Sequence, residues 1–433
     1  MLFKRKGPGV PKNSHNMNSG RRNAIYKVLF SGRMLVAFFM GFSSGLPLLL
    51  TMGVLQAWMK ESGVDLTTIG LITLVQIPYT WKFLWAPFMD RFIPPFFGRR
   101  RGWLLITQAA LVLAIAGLGM TDPVKHFGMM VVAAVLVAFF SASQDIVVDA
   151  YRREDLPDEE LGFGSSMYIN GYRVGMLLAS GGGLILADLV PFSTVYLIMA
   201  FCMLPGIITT LLCPEPKITT GTPRTLTEAV VKPLAEYFSR DGAFWMLGFI
   251  LLYKIGDTMA SAMTTPFFLD IGFTKTEIGT VVKLFGFWAT VAGTLLGGGL
   301  MIRIGINRSL WIFGLLQGVS TAGFALLARI GHSIPALSGA VVLENLCTGM
   351  ATSAFVAFMA SITNKKFTAT QYALLSSLMG VPRVLASAPT GYFAKQLGWE
   401  AFFISCVIVA IPGLLLLLKF APWTPKVAGT VAE

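Results

Sequence analysis

Nine ionisable side chains fall inside stretches that otherwise read as hydrocarbon: Lys82, Asp145, Asp149, Arg173, Lys254, Asp257, Lys283, Glu344 and Arg383. A charge among lipid tails costs about 3 kcal/mol or more unless it meets a partner or a wet cavity. The chemistry open to such a set is narrow. Arg173 and Arg383 keep their charge at any accessible pH and present planar donor forks suited to a carboxylate-bearing substrate, with Lys254 as a third cation. Carboxylates held away from water take up protons more readily, so Asp145, Asp149, Asp257 and Glu344 are candidates for proton coupling or gating. The three histidines, His15, His126 and His332, all fall outside these stretches, so protons would ride on Asp or Glu.

Spacing refines the roles. In the stretch SASQDIVVDAYR, Asp145 and Asp149 are four apart and share a helix face, with Gln144 beside them. Arg152 lies three residues past Asp149, close enough to tie down the helix end or form a gating lock. Lys254 and Asp257, also three apart, are able to neutralise each other. Internal ion pairing would account for any one of these residues, but the set together marks a substrate or ion path. Gln56, Gln76 and Gln144 offer amide donors, and Tyr79, Trp81, Tyr172 and Trp288 offer flat surfaces for the apolar face of a sugar. Gly41, Gly45 and Pro47, in GFSSGLP, are expected to break the first apolar helix beside that path.

The elements that must hold these residues are membrane spans. The chain has 433 residues, 55% hydrophobic and 13% charged, with a mean hydropathy of +0.69, against roughly 25% charged in water-soluble proteins. A ruler of about 20 apolar residues places twelve spans near 34–58, 66–89, 103–121, 127–150, 163–187, 194–212, 244–269, 276–301, 310–329, 335–360, 370–395 and 399–420. The expected organisation is a basic tail (1–33), six helices (34–212), a hydrophilic linker (213–243), six helices (244–420) and a short tail (421–433). Of the 34 Lys and Arg, 24 fall on the side of the N-terminus and 5 on the other, so both termini and the linker are expected in the cytoplasm. The net charge of +12 is thus a topology signal, and no nucleic-acid partner is expected.

Weak internal repetition supports the split. SSMYINGYRV and SSLMGVPRV place Arg173 and Arg383 at matching points of the fifth and eleventh spans. The fold class is therefore an all-α polytopic membrane protein, with twelve transmembrane helices in two six-helix bundles of the major facilitator type, where substrate binds between the halves. The first apolar segment reads as a retained span and not as a cleaved signal. The four cysteines lack CxxC spacing, and neither a metal nor an organic cofactor is expected. Enzyme motifs are missing: there is no HExxH, no GxSxG and no phosphate-cradling loop. Ile255-Gly256-Asp257 lacks the first glycine of the intramembrane aspartyl protease motif.

GFSSGLPLLLTMGVLQAWM (from Gly41), IPYTWKFLWAPFMDRF (from Ile77), GRRRGWLLITQ (from Gly98), SASQDIVVDAYR (from Ser141) and GYRVGMLLASGGG (from Gly171) resemble the bacterial AmpG muropeptide permease family. The likeness is dense over residues 33–190, continues through YKIGDTMASAMTTPFFLDIGF (from Tyr253), and loosens beyond 300. It implies an inner-membrane permease coupled to protons, and a monomer is expected. Such a permease imports N-acetylglucosaminyl-1,6-anhydro-N-acetylmuramyl peptides for peptidoglycan recycling, with a link to β-lactamase induction. Part of the pattern is shared with acetyl-coenzyme A transporters, so another anionic cargo such as an acyl-coenzyme A is the alternative.

Overall fold

The computed structural model describes residues 31–216, 225–240, 242–386, 389–421 and 423, which are helices and short connections. The first six spans are α1 (Gly32–Glu61), α2 (66–91), α3 (Arg99–Gly119), α4 (Phe127–Asp155), α5 (161–187) and α6 (Phe192–Leu212). An amphipathic connector, α7 (Leu226–Phe238), leads to α8 (Ala243–Asp270), α9 (275–304), α10 (306–330), α11 (Ile334–Ser361), α12 (368–397) and α13 (Trp399–Phe420). The tails and residues 217–224 of the linker lie largely outside the described residues.

Among the described residues, eight stretches are long and apolar enough to cross a bilayer. One of them, Thr280–Ile330, is two spans joined at a kink. Gly305 makes that bend with φ 80°, a conformation that glycine adopts without steric strain. The other expected spans are interrupted helices. Tight turns at Ile72–Gln76 and Lys82–Leu84 break α2, a wide turn at Leu178–Gly182 breaks α5, and α12 breaks near Met379 and again before Thr390.

The first helix corrects one expectation. It runs unbroken across Gly41 and Gly45, and its irregular wide turn, Leu50–Val54, comes only after Pro47. The glycines serve contact instead. A Cβ on Gly41 would lie 2.1 Å from the Tyr168 carbonyl oxygen, and one on Gly45 would lie 2.0 Å from that of Tyr172. From the other side, Gly171 and Gly175 press on the backbone of Phe38 and Phe42. Two G-x-x-x-G faces thus bring α1 and α5 backbone to backbone. Arg173 sits between the two glycines of α5, so its position is fixed by this seam.

Apolar packing divides the molecule along its length. One core, from Leu46 to Met203, belongs to the first six spans alone, and another, from Met259 to Cys406, to the last six. A third joins both sets, packing Met34, Met89, Tyr151, Phe163 and Tyr168 with Phe249, Met301, Phe355 and Tyr372. It lies at the end that carries the basic turns. The halves are sealed together there and keep separate cores at the opposite end.

Candidate substrate and coupling site

Residues 141–153 of α4 are buried without a break, so every polar side chain there must find its partner inside the protein. Asp145, 6% exposed, lies in the field of Lys82 and Asp149 and beside Ser44. Its Oδ1 is buried and has no hydrogen-bond partner among the described residues. The Tyr79 hydroxyl stands close to Ser141 and Asp145. Lys82, itself buried in the irregular part of α2, also faces Asp149.

One turn further, the cluster crosses between the halves. Arg152 Nη2 donates to Asp149 Oδ1 at 3.0 Å and to the Tyr372 hydroxyl of α12 at 2.8 Å. Its guanidinium also lies over the Tyr168 ring, 4.5 Å from the centroid. Nearby, Asp90 accepts from the backbone N–H and the hydroxyl of Thr370, both at 2.8 Å, and so sits on the N-terminus of α12. Arg100, fully buried, holds Asp90 at 2.8 Å and Glu154 at 2.5 Å. These contacts form a latch at the basic end. Hydrogen bonds to charged groups contribute about 1.5–3 kcal/mol each.

The second cluster joins α8, α10 and α11. Lys254 Nζ lies 2.8 Å from Asp257 Oδ2. Gln317 Nε2 reaches Glu344 Oε1 at 2.9 Å, the Thr348 hydroxyl at 2.9 Å and Asp257 Oδ1 at 3.3 Å. Thr321 donates to Glu344 Oε1 at 3.1 Å. Glu344 is 7% exposed, and a small cavity lined by Lys254, Asp257, Gln317 and Thr321 adjoins it. From across the halves, Arg173 stands within electrostatic range of Asp257. Among the described residues, Arg173 makes no hydrogen bond or ion pair. A partly buried arginine with a free fork is equipped to take an anion.

Several expected site residues are placed elsewhere. Gln144 is fully buried, with its amide directed at Ser43 (3.2 Å) and Ser44 (3.3 Å), so it braces α4 against α1 and has no donor left for a ligand. Gln76 bonds the Thr51 hydroxyl at 2.7 Å, whereas Gln56 is partly exposed and unengaged among the described residues. Trp81 and Trp288 are 56% and 61% exposed and belong to neither cluster. Tyr172 packs beside Tyr168, with ring centroids 6.1 Å apart. Arg383 falls on the helix Gly380–Leu385, but its side chain, like that of Lys283, lies outside the described residues. Gln317, Tyr168 and Tyr372 went unread in the sequence. Gln317 carried the same signal as Gln76, a lone amide inside a span. Tyr372 had none, because its partner is 220 residues away.

Comparisons with known proteins agree with this architecture. The family model "Major Facilitator Superfamily" matches residues 34–328 and 251–432. The "Anhydromuropeptide permease" of Escherichia coli K12 is 48% identical over 388 residues, covering 89% of this chain and 79% of the relative. An "Uncharacterized protein" of Haemophilus influenzae is 42% identical, covering 92% and 97%, and the "Putative transporter AmpG 4" of Rickettsia conorii is 30% identical, covering 91% and 98%. Among solved structures, the transporter FucP in the outward conformation aligns with a TM-score of 0.71 at 9% identity, covering 92% of this chain and 99% of that one. The proton:xylose symporter XylE aligns with a TM-score of 0.66 at 11% identity, covering 93% and 97%.

Proposed function

The chain belongs to the Major Facilitator Superfamily and, within it, to the AmpG anhydromuropeptide permeases, and from that premise we propose that it imports anhydromuropeptides in symport with protons. The basic end faces the cytoplasm in this reading, and the two six-helix halves, 34–212 and 244–420, rock about a site between them. An anhydromuropeptide is a disaccharide bearing a short peptide and several carboxylates, too polar to cross lipid unaided. Its recognition calls for cations set between the halves.

The observation that carries the reading is Arg173, fixed by the α1–α5 glycine seam with its fork unpaired among the described residues. It takes a substrate carboxylate, and Arg383, its counterpart in the repeat, takes another from the facing half. Asp149 acts in the latch through Arg152, which releases the basic end when the site is loaded.

The test is uptake of labelled anhydromuropeptide into proteoliposomes, with and without an imposed proton gradient. The protein should accumulate label only with the gradient. Arg173→Lys keeps the charge but loses the fork, and should cut uptake by roughly tenfold. Uptake by Arg173→Lys at the parental rate removes Arg173 from recognition. A parent protein that moves no label in either condition overturns the substrate.

A further inference from the structure

The second cluster has a charge count that the cargo disturbs. Arg173 and Lys254 bring two formal positive charges, and Asp257 and Glu344 two formal negative ones. Among the described residues, the formal charges of the empty site cancel. On the reading above, an arriving carboxylate takes the Arg173 fork and leaves one negative charge in excess. Uncompensated charge in a poorly hydrated interior is costly, and the usual relief is to neutralise one group. A proton on a carboxylate achieves this, and the geometry says which one.

Asp257 has a cation in contact, Lys254 at 2.8 Å. Glu344 has no cation in contact among the described residues. Its Oε1 accepts from Gln317 and Thr321, while its Oε2 is buried without a partner. The inventory of hydrogens points the same way. The Gln317 amide has two hydrogens but faces three acceptors, and its own Oε1 is buried with no donor. Gln317 Oε1 and Glu344 Oε2 are thus two buried acceptors without a donor, and a proton on Glu344 Oε2 removes one of them.

We propose that Glu344 carries the coupled proton and that Arg173, acting through Asp257, makes its uptake depend on bound anion. The other groups around Glu344 fit this role. Lys254 and Asp257 face it from α8, Gln317, Ser320 and Thr321 from α10, Cys406 from α13, and Cys347 from α11 itself. On the side of the first half, Arg153 of α4 meets α11 at Ser361, at the far end of the helix. Lys283 on α9 is outside the described side chains. The Lys82, Asp145, Asp149 and Arg152 cluster is also balanced, two against two. Its Arg152 is already paired with Asp149 and bonded through the same nitrogen to Tyr372 of the opposite half, so its charge is balanced within the cluster.

Two measurements decide it. Infrared difference titration of the substrate-free protein should show a protonated-carboxyl band that is lost in Glu344→Gln and retained in Asp145→Asn. Arg173→Gln, which mimics the charge effect of bound anion, should strengthen that band at least twofold at fixed neutral pH. In proteoliposomes loaded with labelled anhydromuropeptide, Glu344→Gln should keep counterflow within about threefold of the parent while gradient-driven accumulation falls more than tenfold. A band that survives Glu344→Gln, or that ignores Arg173→Gln, overturns the proposal. So does gradient-driven accumulation by Glu344→Gln at the parental level. The infrared arm needs no substrate, so a parent protein that moves no muropeptide defeats the transport reading while the titration still decides the proton site.

Discussion

Lys82, Asp145, Asp149 and Arg152 in the first half, and Lys254, Asp257 and Glu344 with Arg173 around the second, hold the same formal charges, two of each sign. Their wiring differs. In the first cluster Arg152 spends one nitrogen on Asp149 and on Tyr372 of the opposite half, so the charge is built into the contact that shuts the basic end. In the second, Lys254, Asp257, Gln317, Thr321, Thr348 and Glu344 pair with one another within α8, α10 and α11, and among the described residues the unpaired Arg173 stands in range from the first half. On the proposed reading, identical charge counts serve different tasks: one cluster sets which end is open, and the other responds to a ligand.

The largest expected effect tests how far each cluster depends on its lysine. Lys254→Ala leaves two buried carboxylates without their nearest cation, and breaking a buried pair in this way costs about 3–5 kcal/mol. Lys82→Ala should cost less, because Asp149 keeps Arg152 at 3.0 Å. Thermal unfolding midpoints in detergent should rank Lys254→Ala well below Lys82→Ala, and the double variant Lys254→Ala with Asp257→Ala should recover part of the loss. The opposite ranking would erase the distinction between a self-contained cluster and a shared one.

Next in size is the latch. Tyr372→Phe removes one hydrogen bond to a charged group, worth about 1.5–3 kcal/mol, and leaves the apolar ring in place. The ratio of closed to open molecules at the basic end should fall by roughly tenfold for each 1.4 kcal/mol lost. Spin-label distances between the turn at 92–98 and the turn at 362–367 report it. Thr348→Val, in the second cluster, should leave that distance distribution unchanged.

Local rules made much of this visible in the sequence. Twelve apolar stretches followed from length and composition, and the three-residue spacing of Lys254 and Asp257 gave a pair seen at 2.8 Å. Spacing along one helix cannot show what lies across from it. Gly41 and Gly45 looked like places where α1 loosens, yet a small face closes a seam when another small face meets it, as Gly171 and Gly175 do. Gln144 and Gln317 looked alike as lone amides, and only the packing of α1 and α11 shows that the first is spent on serines and the second on carboxylates. The interruptions of α2 and α12 fall beside Pro78, Pro87, Pro382 and Pro389, local signals that a hydropathy ruler does not register.

The smallest effect concerns the connector α7, whose Glu236 meets Gln371, the neighbour of both latch residues Thr370 and Tyr372. Burial works against the charge on Glu236, but hydrogen bonds from Arg240 and Gln371 outweigh it and hold the carboxyl below the usual glutamate range. A carboxyl lowered on folding stabilises the protein above its unfolded value, and that contribution is lost as pH falls through the folded one. Glu236 therefore stays ionised throughout the neutral range and contributes no titration there. The pair with Arg240 is about one-third exposed on the glutamate side, so its worth is about 0.5 kcal/mol or less. Glu236→Gln should lower stability by no more than that at pH 7 and leave the pH dependence of uptake between pH 6 and 8 superimposable on the parent. A shifted profile would place a neutral-range titration at the latch itself, and the division of labour between the two clusters would have to be redrawn.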